Sequence, residues 1–313
     1  TEARAWGNYR TGYIGHYIRR VLELDPNNQP AQLIWNHVGG RRMNVKLTRP
    51  GPADAPEWAV WAHLALNNMQ YWIDWWLDNR QRPDGQLGGH INDDGEFSCR
   101  WPVLYLITGQ ERIADALQKL ANVAWAMSGG KGYTVGSRDV EHAAEDQSCT
   151  QPQVLLTRYG SPQAMERLMK MSTYLDFWTA INEVGRRQFK SFMFTHDQIW
   201  GDPPDDVDQA YCPLAMVGAG HAVWYANLPE LKRIFLEEAD SWRLATESTD
   251  KGKRAGVIPG EIKFSNSEIL PYMPYNSSNP VLKNRPALYI GGGIYIVEHL
   301  LRGATWLTGD PKY

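Results

Sequence analysis

Apolar positions over residues 55–80 fall at Trp58, Trp61, Ala65, Met69, Trp72, Ile73 and Trp76. This three-and-four spacing predicts one long helix with a broad apolar stripe. The turn Arg82-Pro83-Asp84-Gly85 follows it. Over 96–108 the run from Trp101 to Ile107 is apolar on nearly every face, which predicts a helix buried all round. Thr108-Gly109-Gln110 breaks the chain, and Ile113, Leu117, Leu120, Ala124 and Met127 then mark an amphipathic helix. The two make a helical hairpin.

The pattern recurs. A segment over 140–159 breaks at Gly160 and restarts at Ser161-Pro162, an N-cap followed by proline, leading into Met165, Leu168, Met169, Leu175 and Trp178. Another runs over 207–227, breaks at Leu228-Pro229 and continues through Leu231, Ile234, Phe235 and Trp242. A fourth runs over 287–307, breaks at Thr308-Gly309 and begins again at Asp310-Pro311. The intervals are unequal, so topology repeats rather than length, giving about four and a half hairpins.

In each hairpin the first helix is apolar and rich in small residues, and the second is amphipathic. That division suits an inner and an outer ring, hence an all-α, (α/α) toroid architecture over 55–313, after an N-terminal helix and connector over 1–54. The short turns join inner to outer helices, while the long polar connections (about 81–95, 128–140, 183–206 and 248–286) join outer to inner. All the long loops therefore gather at one rim, at the N-termini of the inner helices, where loops of that length usually serve function.

Composition narrows the classes. Lys+Arg 32 against Asp+Glu 35 gives a net charge of −3 with no basic block, so nucleic acid has little electrostatic hold. No apolar run approaches the roughly 18 residues of a membrane span, and the expectation is a globular, membrane-free protein. Cys99, Cys149 and Cys212 fit neither a disulfide framework nor a thiolate zinc site and read as small core residues. Residues 1–20 hold no signal-peptide pattern, and a secreted or periplasmic setting is slightly favoured. The 14 Trp and 15 Tyr against 7 Phe supply flat apolar faces with polar handles, suited to sugar rings as well as to cores. Most of the tryptophans are expected in the core, since Trp58, Trp61, Trp72 and Trp76 sit at helix spacing.

The long loops are acidic. The first presents His90, Asn92, Asp93, Asp94 and Glu96 at an inner-helix start, with Arg100 and Trp101 following. There the helix dipole favours negative charge, and a plain N-cap with solvated acids is the competing reading. The second delivers Arg138, Asp139, Glu141, His142, Glu145 and Asp146, with Glu141 and Glu145 on one face. The third carries His196, Asp197, Trp200, Asp202, Asp205, Asp206, Asp208 and Tyr211, an oxygen-rich loop suited to solvent or to a calcium ion. The fourth holds Tyr272, Tyr275, Asn276 and Asn279 among prolines and reads as a rigid wall. Zinc-protease, phosphate-loop, dinucleotide and serine-elbow motifs are absent, and no cofactor other than calcium is suggested.

Carboxylates crowded into a concave site separate each other's pKa values, so one stays protonated while another stays ionised. Glycosidic bond cleavage requires that pairing, with aromatic faces as the floor for a sugar. Where a multi-hairpin ring, a Gly88-Gly89-x-x-x-Asp93-Asp94 loop and aromatic walls coincide, the chain resembles the (α/α) toroid carbohydrate-active enzymes. These include unsaturated glucuronyl hydrolases, rhamnogalacturonyl hydrolases and the toroid domains of alginate- and heparin-type polysaccharide lyases. The resemblance implies that Asp93 or Asp94 matches the hydrolases' general acid or base. For a lyase it implies a Tyr/His pair that removes the C5 proton and an Asn, Arg or Gln that neutralises the uronate, with His90, Asn92, Arg100, His142, His196 and Tyr211 as the candidates for those roles. Fewer than six hairpins are present, so a fragment or an open ring is expected.

The favoured reading is a glycoside hydrolase acting on a poly- or oligosaccharide. Asp93 or Asp94 serves as one catalytic carboxylate, Glu141 or Glu145 as the other, and His142 and His90 hold hydroxyls. Asn92, Arg100, Trp101, His196, Trp200, Asp206 and Tyr211 complete the binding surface. A mouth this acidic would repel a uronate, which places the lyase second. A non-catalytic glycan-binding scaffold is the third reading.

Overall fold

The computed structural model describes residues 15–28, 31–32, 34–35, 54–133, 139–270 and 294–313. Two compact units divide the chain, Thr1–Leu66 and Asn67–Tyr313. The sequence suggests a cut at 54/55, whereas this division falls inside the long helix α1 (Glu57–Asn79).

In the larger unit the chain continues through α2 (Ile91–Ser98), α3 (Trp101–Thr108), α4 (Glu111–Met127), α5 (Val140–Ser148), α6 (Gln151–Thr157), α7 (Pro162–Ser172) and α8 (Leu175–Trp178). A 3-10 turn over Cys212–Met216 leads into α9 (Val217–Ala226), α10 (Pro229–Glu247) and, after the described gap, α11 (Ile294–Thr308). The class is mainly helical, as expected. Among the described residues, no helix is long and apolar enough to cross a membrane.

Three of the expected short turns contain a glycine in the left-handed region, Gly109 (φ 69°), Gly160 (φ 85°) and Gly309 (φ 71°), and the fourth, expected at Leu228-Pro229, is preceded by left-handed Asn227 (φ 46°). A left-handed residue just past a helix lets the chain reverse while its N–H closes the last turn, and Gly109 and Asn227 do so on Tyr105 and Val223. The expected apolar stripe holds in α4, where Ile113, Leu117, Leu120 and Ala124 are buried, although Met127 is exposed.

The two uninterrupted inner helices expected over 96–108 and 140–159 are each broken. The interruption follows Ser98-Cys99 and Ser148-Cys149, where Pro102 and Pro152 sit in the first turn of α3 and α6. Proline has no N–H to donate to the carbonyl four residues back, so each helix stops and restarts. The same Ser-Cys-x-x-Pro string thus produces the same joint twice. The α3 run is not buried all round: Trp101, Pro102 and Leu104 are, while Val103, Leu106 and Ile107 are more than half exposed. Nor are the α1 tryptophans core residues. Trp58 is 76% and Trp72 46% exposed, and Ile73 is the buried member of that stripe's inner half.

The long loops carry small sheets that helical periodicity does not show. Strands β1 (Thr179–Ile181) and β2 (Arg187–Phe189) form a hairpin closed by Asn182, whose N–H bonds to the Arg186 carbonyl at 2.9 Å. Strand β3 (Val207–Gln209) pairs with β4 (Glu261–Lys263), which pairs with β5 (Ile269–Leu270). The helix expected over 207–227 is therefore a strand, a 3-10 turn and only then α9, because Pro213 again interrupts regular bonding.

The core lies where these elements meet. Trp178 stacks on Phe194 at 4.6 Å between ring centroids, meets Tyr133 edge-on at 4.3 Å, and donates its indole N–H to the Thr195 carbonyl at 2.8 Å. On the other side the Phe235 ring of α10 fills space left by Gly220 of α9 and Gly303 of α11, where an added Cβ would come within 3.0 and 3.1 Å of it. Gly220 and Gly303 thus let their helices approach α10 closely.

Candidate active site

Helix α5 is polar in sequence, yet Glu145, Asp146, Gln147 and Ser148 are all buried on it. Buried polar groups need partners. Gln147 Nε2 donates to the Ala124 carbonyl at 2.7 Å, and Gln151 Nε2, on α6, donates to the Ala121 carbonyl at 2.8 Å, which ties both helices to α4. Helix α2 lies close to the same region. A Cβ at Gly95 would stand 3.4 Å from the Cys149 Cβ and 3.3 Å from Thr150 Cγ2, so glycine there permits the contact.

Between these helices opens a cavity of about 300 Å³, lined by Glu96, Glu141, Glu145, Cys149, Tyr211, Leu214 and Tyr295. Its walls come from α2, from α5 and the joint after it, from the 3-10 turn, and from the first turn of α11. Each of the four segments expected to open a hairpin contributes at least one residue.

Glu141 is half-buried, and burial raises its pKa above the ordinary carboxylate value. Asp139 and Glu96 add to that rise, whereas His142 and a hydrogen bond from Tyr211 oppose it. Glu145, one turn further along α5, is 9% exposed. Burial also pushes Tyr295 up to about 12 and Cys149 well above the usual thiol range, with the surrounding acids adding to both. Asp139 caps α5: its Oδ1 accepts the His142 backbone N–H at 3.0 Å and lies 2.6 Å from His142 Nδ1. Partial burial opposes charge on the imidazole, but the Asp139 carboxylate, with Glu141 and Glu145, outweighs it and raises the His142 pKa.

The structure brings Glu141, Glu145 and Tyr211 together as expected, with His142 exposed beside them. Asp94 is placed otherwise. It is 4% exposed, and its two oxygens accept the backbone N–H groups of Leu87 at 2.7 Å and Gly89 at 3.0 Å, so it clasps the preceding loop instead of lining the cavity. Asp93, His90 and Arg100 are exposed outside the lining. Trp101 is 3% exposed and packs with Trp72 and Phe97, its ring centroid 5.7 Å from that of Phe97, so its face is not offered to a sugar. His196 lies against Lys131 Nζ at 2.9 Å and Asp197 at 3.3 Å, and neither it, the half-buried Trp200 nor the half-buried Asp206 lines the cavity. The Asn92 side chain, Arg138, Tyr272, Tyr275, Asn276 and Asn279 lie outside the described residues.

Glu96, Cys149, Leu214 and Tyr295 join the site without having been singled out for it. Glu96 follows Asp93 by one helical step of three, and on the recurring Ser-Cys-x-x-Pro frame it matches Asp146. The acids of the third loop do not converge on one point. Among the described residues, Asp139, Glu141 and His142 offer three metal-type donor atoms within 4.8 Å of one another, but the Asp139–His142 bond already joins two of them. No family model, curated protein or solved structure matches this chain.

Proposed function

We propose that the helices form an open (α/α) toroid whose inner members open onto the cavity, and that the cavity hydrolyses glycosidic bonds of a poly- or oligosaccharide. The contribution of all four inner segments to one cavity supports the architecture. The observation that carries the chemistry is Glu141, a half-buried carboxyl whose pKa burial raises, set in one cavity with two further acids, Glu96 and Glu145.

Glu141 gives its proton to the glycosidic oxygen as the bond to the anomeric carbon breaks. Positive charge then develops on the sugar ring, and Glu96 and Glu145 stabilise it. Glu96, carried by a different helix, takes the proton from the water that adds to the anomeric carbon. The Tyr211 hydroxyl holds Glu141, and Tyr295, protonated throughout the neutral range, donates to sugar hydroxyls. At about 300 Å³ the cavity admits a group the size of a monosaccharide, near the lower end of small-molecule sites. No cofactor is needed.

Elimination from a uronate is the less favoured chemistry, because the lining among the described residues has three acids and no lysine or arginine. Incubation with neutral and uronic polysaccharides, reading reducing ends and the ultraviolet absorbance of unsaturated uronates, separates the cases. Reducing ends alone, lost in Glu141→Gln, are expected. Both signals together mean elimination, and neither signal leaves a binding scaffold.

A further inference from the structure

A second pair of acids lies outside the cavity and has no part in that chemistry. Asp208 on β3 and Glu238 on α10 are both 0% exposed. Asp208 Oδ2 accepts the Phe189 N–H at 3.3 Å, and Glu238 Oε1 accepts the Trp242 indole N–H at 3.2 Å. Their carboxyl groups hydrogen-bond each other, while Asp208 Oδ1 and Glu238 Oε2 are buried without any N–H or O–H donor. Two carboxylates have only acceptors to offer, so a bond between them requires a proton on one.

The other charged and titratable groups of the packed elements do not replace that proton. Arg187 on β2 is held by Glu237 at 2.6 Å and by Thr179 Oγ1 at 2.8 Å. Glu261 on β4 accepts from Gln209 Nε2 at 3.0 Å. The Cys212 thiol lies against the Ser191 carbonyl at 4.0 Å and is pushed far up by burial, so it stays protonated.

We propose that Asp208 and Glu238 share one proton and act as a latch that seats the segment carrying Tyr211 against α10. The path is short. Asp208 adjoins Gln209, whose N–H bonds to Cys212 Sγ at 3.3 Å, and Tyr211, the chain neighbour of Cys212, reaches Glu141. The latch makes Asp208 and Glu238 positioning residues, and it stands whether or not the cavity cleaves glycans.

Burial raises Asp208 to about 7 and Glu238 well above the ordinary carboxylate value. In the unfolded chain both titrate near 4. Between these limits the folded state binds more protons, so stability falls as pH rises, and above them the ionised pair repels itself.

Thermal midpoints of the wild type, Asp208→Asn and Glu238→Gln, measured from about pH 5 to about pH 8, test this. The wild-type midpoint is expected to fall by several degrees, and either amide, which donates its N–H at every pH, should flatten that slope. Infrared difference spectra should show a protonated-carboxyl C=O band in the wild type near pH 6 that both variants lose. Parallel slopes in all three proteins would overturn the proposal. Should the variants fail to fold, the band is read in Glu141→Gln, which lacks the cavity's own proton donor: its absence there would overturn the proposal and its presence would uphold it.

Discussion

The Tyr211 hydroxyl donates a hydrogen bond to the Glu141 carboxylate, joining the start of the 3-10 turn to the first turn of α5. A bond of this kind favours the ionised acid, so it works against the burial that raises the Glu141 pKa. The balance between the two sets the pH range in which Glu141 acts as a proton donor.

Removing the hydroxyl shifts that balance in a known direction. In Tyr211→Phe the Glu141 pKa should rise further, and the alkaline limb of the pH–rate profile should move to higher pH. The rate at the optimum should fall about tenfold, roughly the worth of one hydrogen bond to a charged group. A pH–rate profile of the variant on the polysaccharide found active checks both.

Asp94 and Glu141 separate structure from chemistry. Asp94→Asn places an amide N–H against one of the two N–H groups that the carboxylate now accepts, and it should cost about 1–3 kcal/mol of stability. The rate per folded molecule should stay near that of the wild type. Glu141→Gln should leave the thermal midpoint close to its original value and lower kcat by about 10²–10⁴. Denaturation curves read beside kinetics on the same samples distinguish the two effects.

That contrast also shows where the sequence is readable. The turns inside the hairpins are local: an apolar stripe stops and a glycine or asparagine takes the left-handed conformation, at Gly109, Gly160 and Gly309 where expected and at Asn227 one residue before the expected Leu228-Pro229 break. The joints at Pro102 and Pro152 are local too, but an apolar run such as Trp101 to Ile107 masks the missing N–H. Which acid of a cluster faces a cavity is not local. Asp94 turns away because the backbone N–H groups of Leu87 and Gly89 fold back over it, and Glu96 is left facing Glu141's helix. Tyr295 arrives from a helix far along the chain, and no spacing links it to Glu141. The tryptophan stripe of α1 misleads for a related reason, since periodicity identifies a face but not whether anything packs on it.

The thiols make a further test of burial. Burial raises the pKa of Cys99, Cys149 and Cys212, with Arg100 opposing the rise at Cys99. At neutral pH little thiolate is present, so a disulfide reagent should react slowly with the native protein and rapidly with all 3 cysteines after unfolding. Cys99 should react first and Cys212 last. Because Cys149 lines the cavity, its modification should abolish cleavage, whereas Cys149→Ser should retain it.

His142 tunes the proposed acid from outside the cavity. Its imidazole is held by Asp139 at 2.6 Å, and although partial burial opposes its charge, the carboxylate keeps it cationic above the usual histidine range. That cation lowers the Glu141 pKa. His142→Gln removes it, so Glu141 should hold its proton to higher pH and the alkaline limb should again move upward. The stability consequence has the opposite pH sense to an ion pair made by a strengthened acid. A histidine whose folded pKa is raised stabilises the protein fully below its unfolded value, about 6.5, and loses that contribution as pH rises through the folded value. The stability gap between wild type and His142→Gln should therefore be widest in mildly acidic solution and close on the alkaline side. It should stay small throughout, because the imidazole side chain is 51% exposed and screened by water. Denaturant titrations of both proteins across that range measure the gap, and a gap that widens with pH would remove the Asp139–His142 pair from this account.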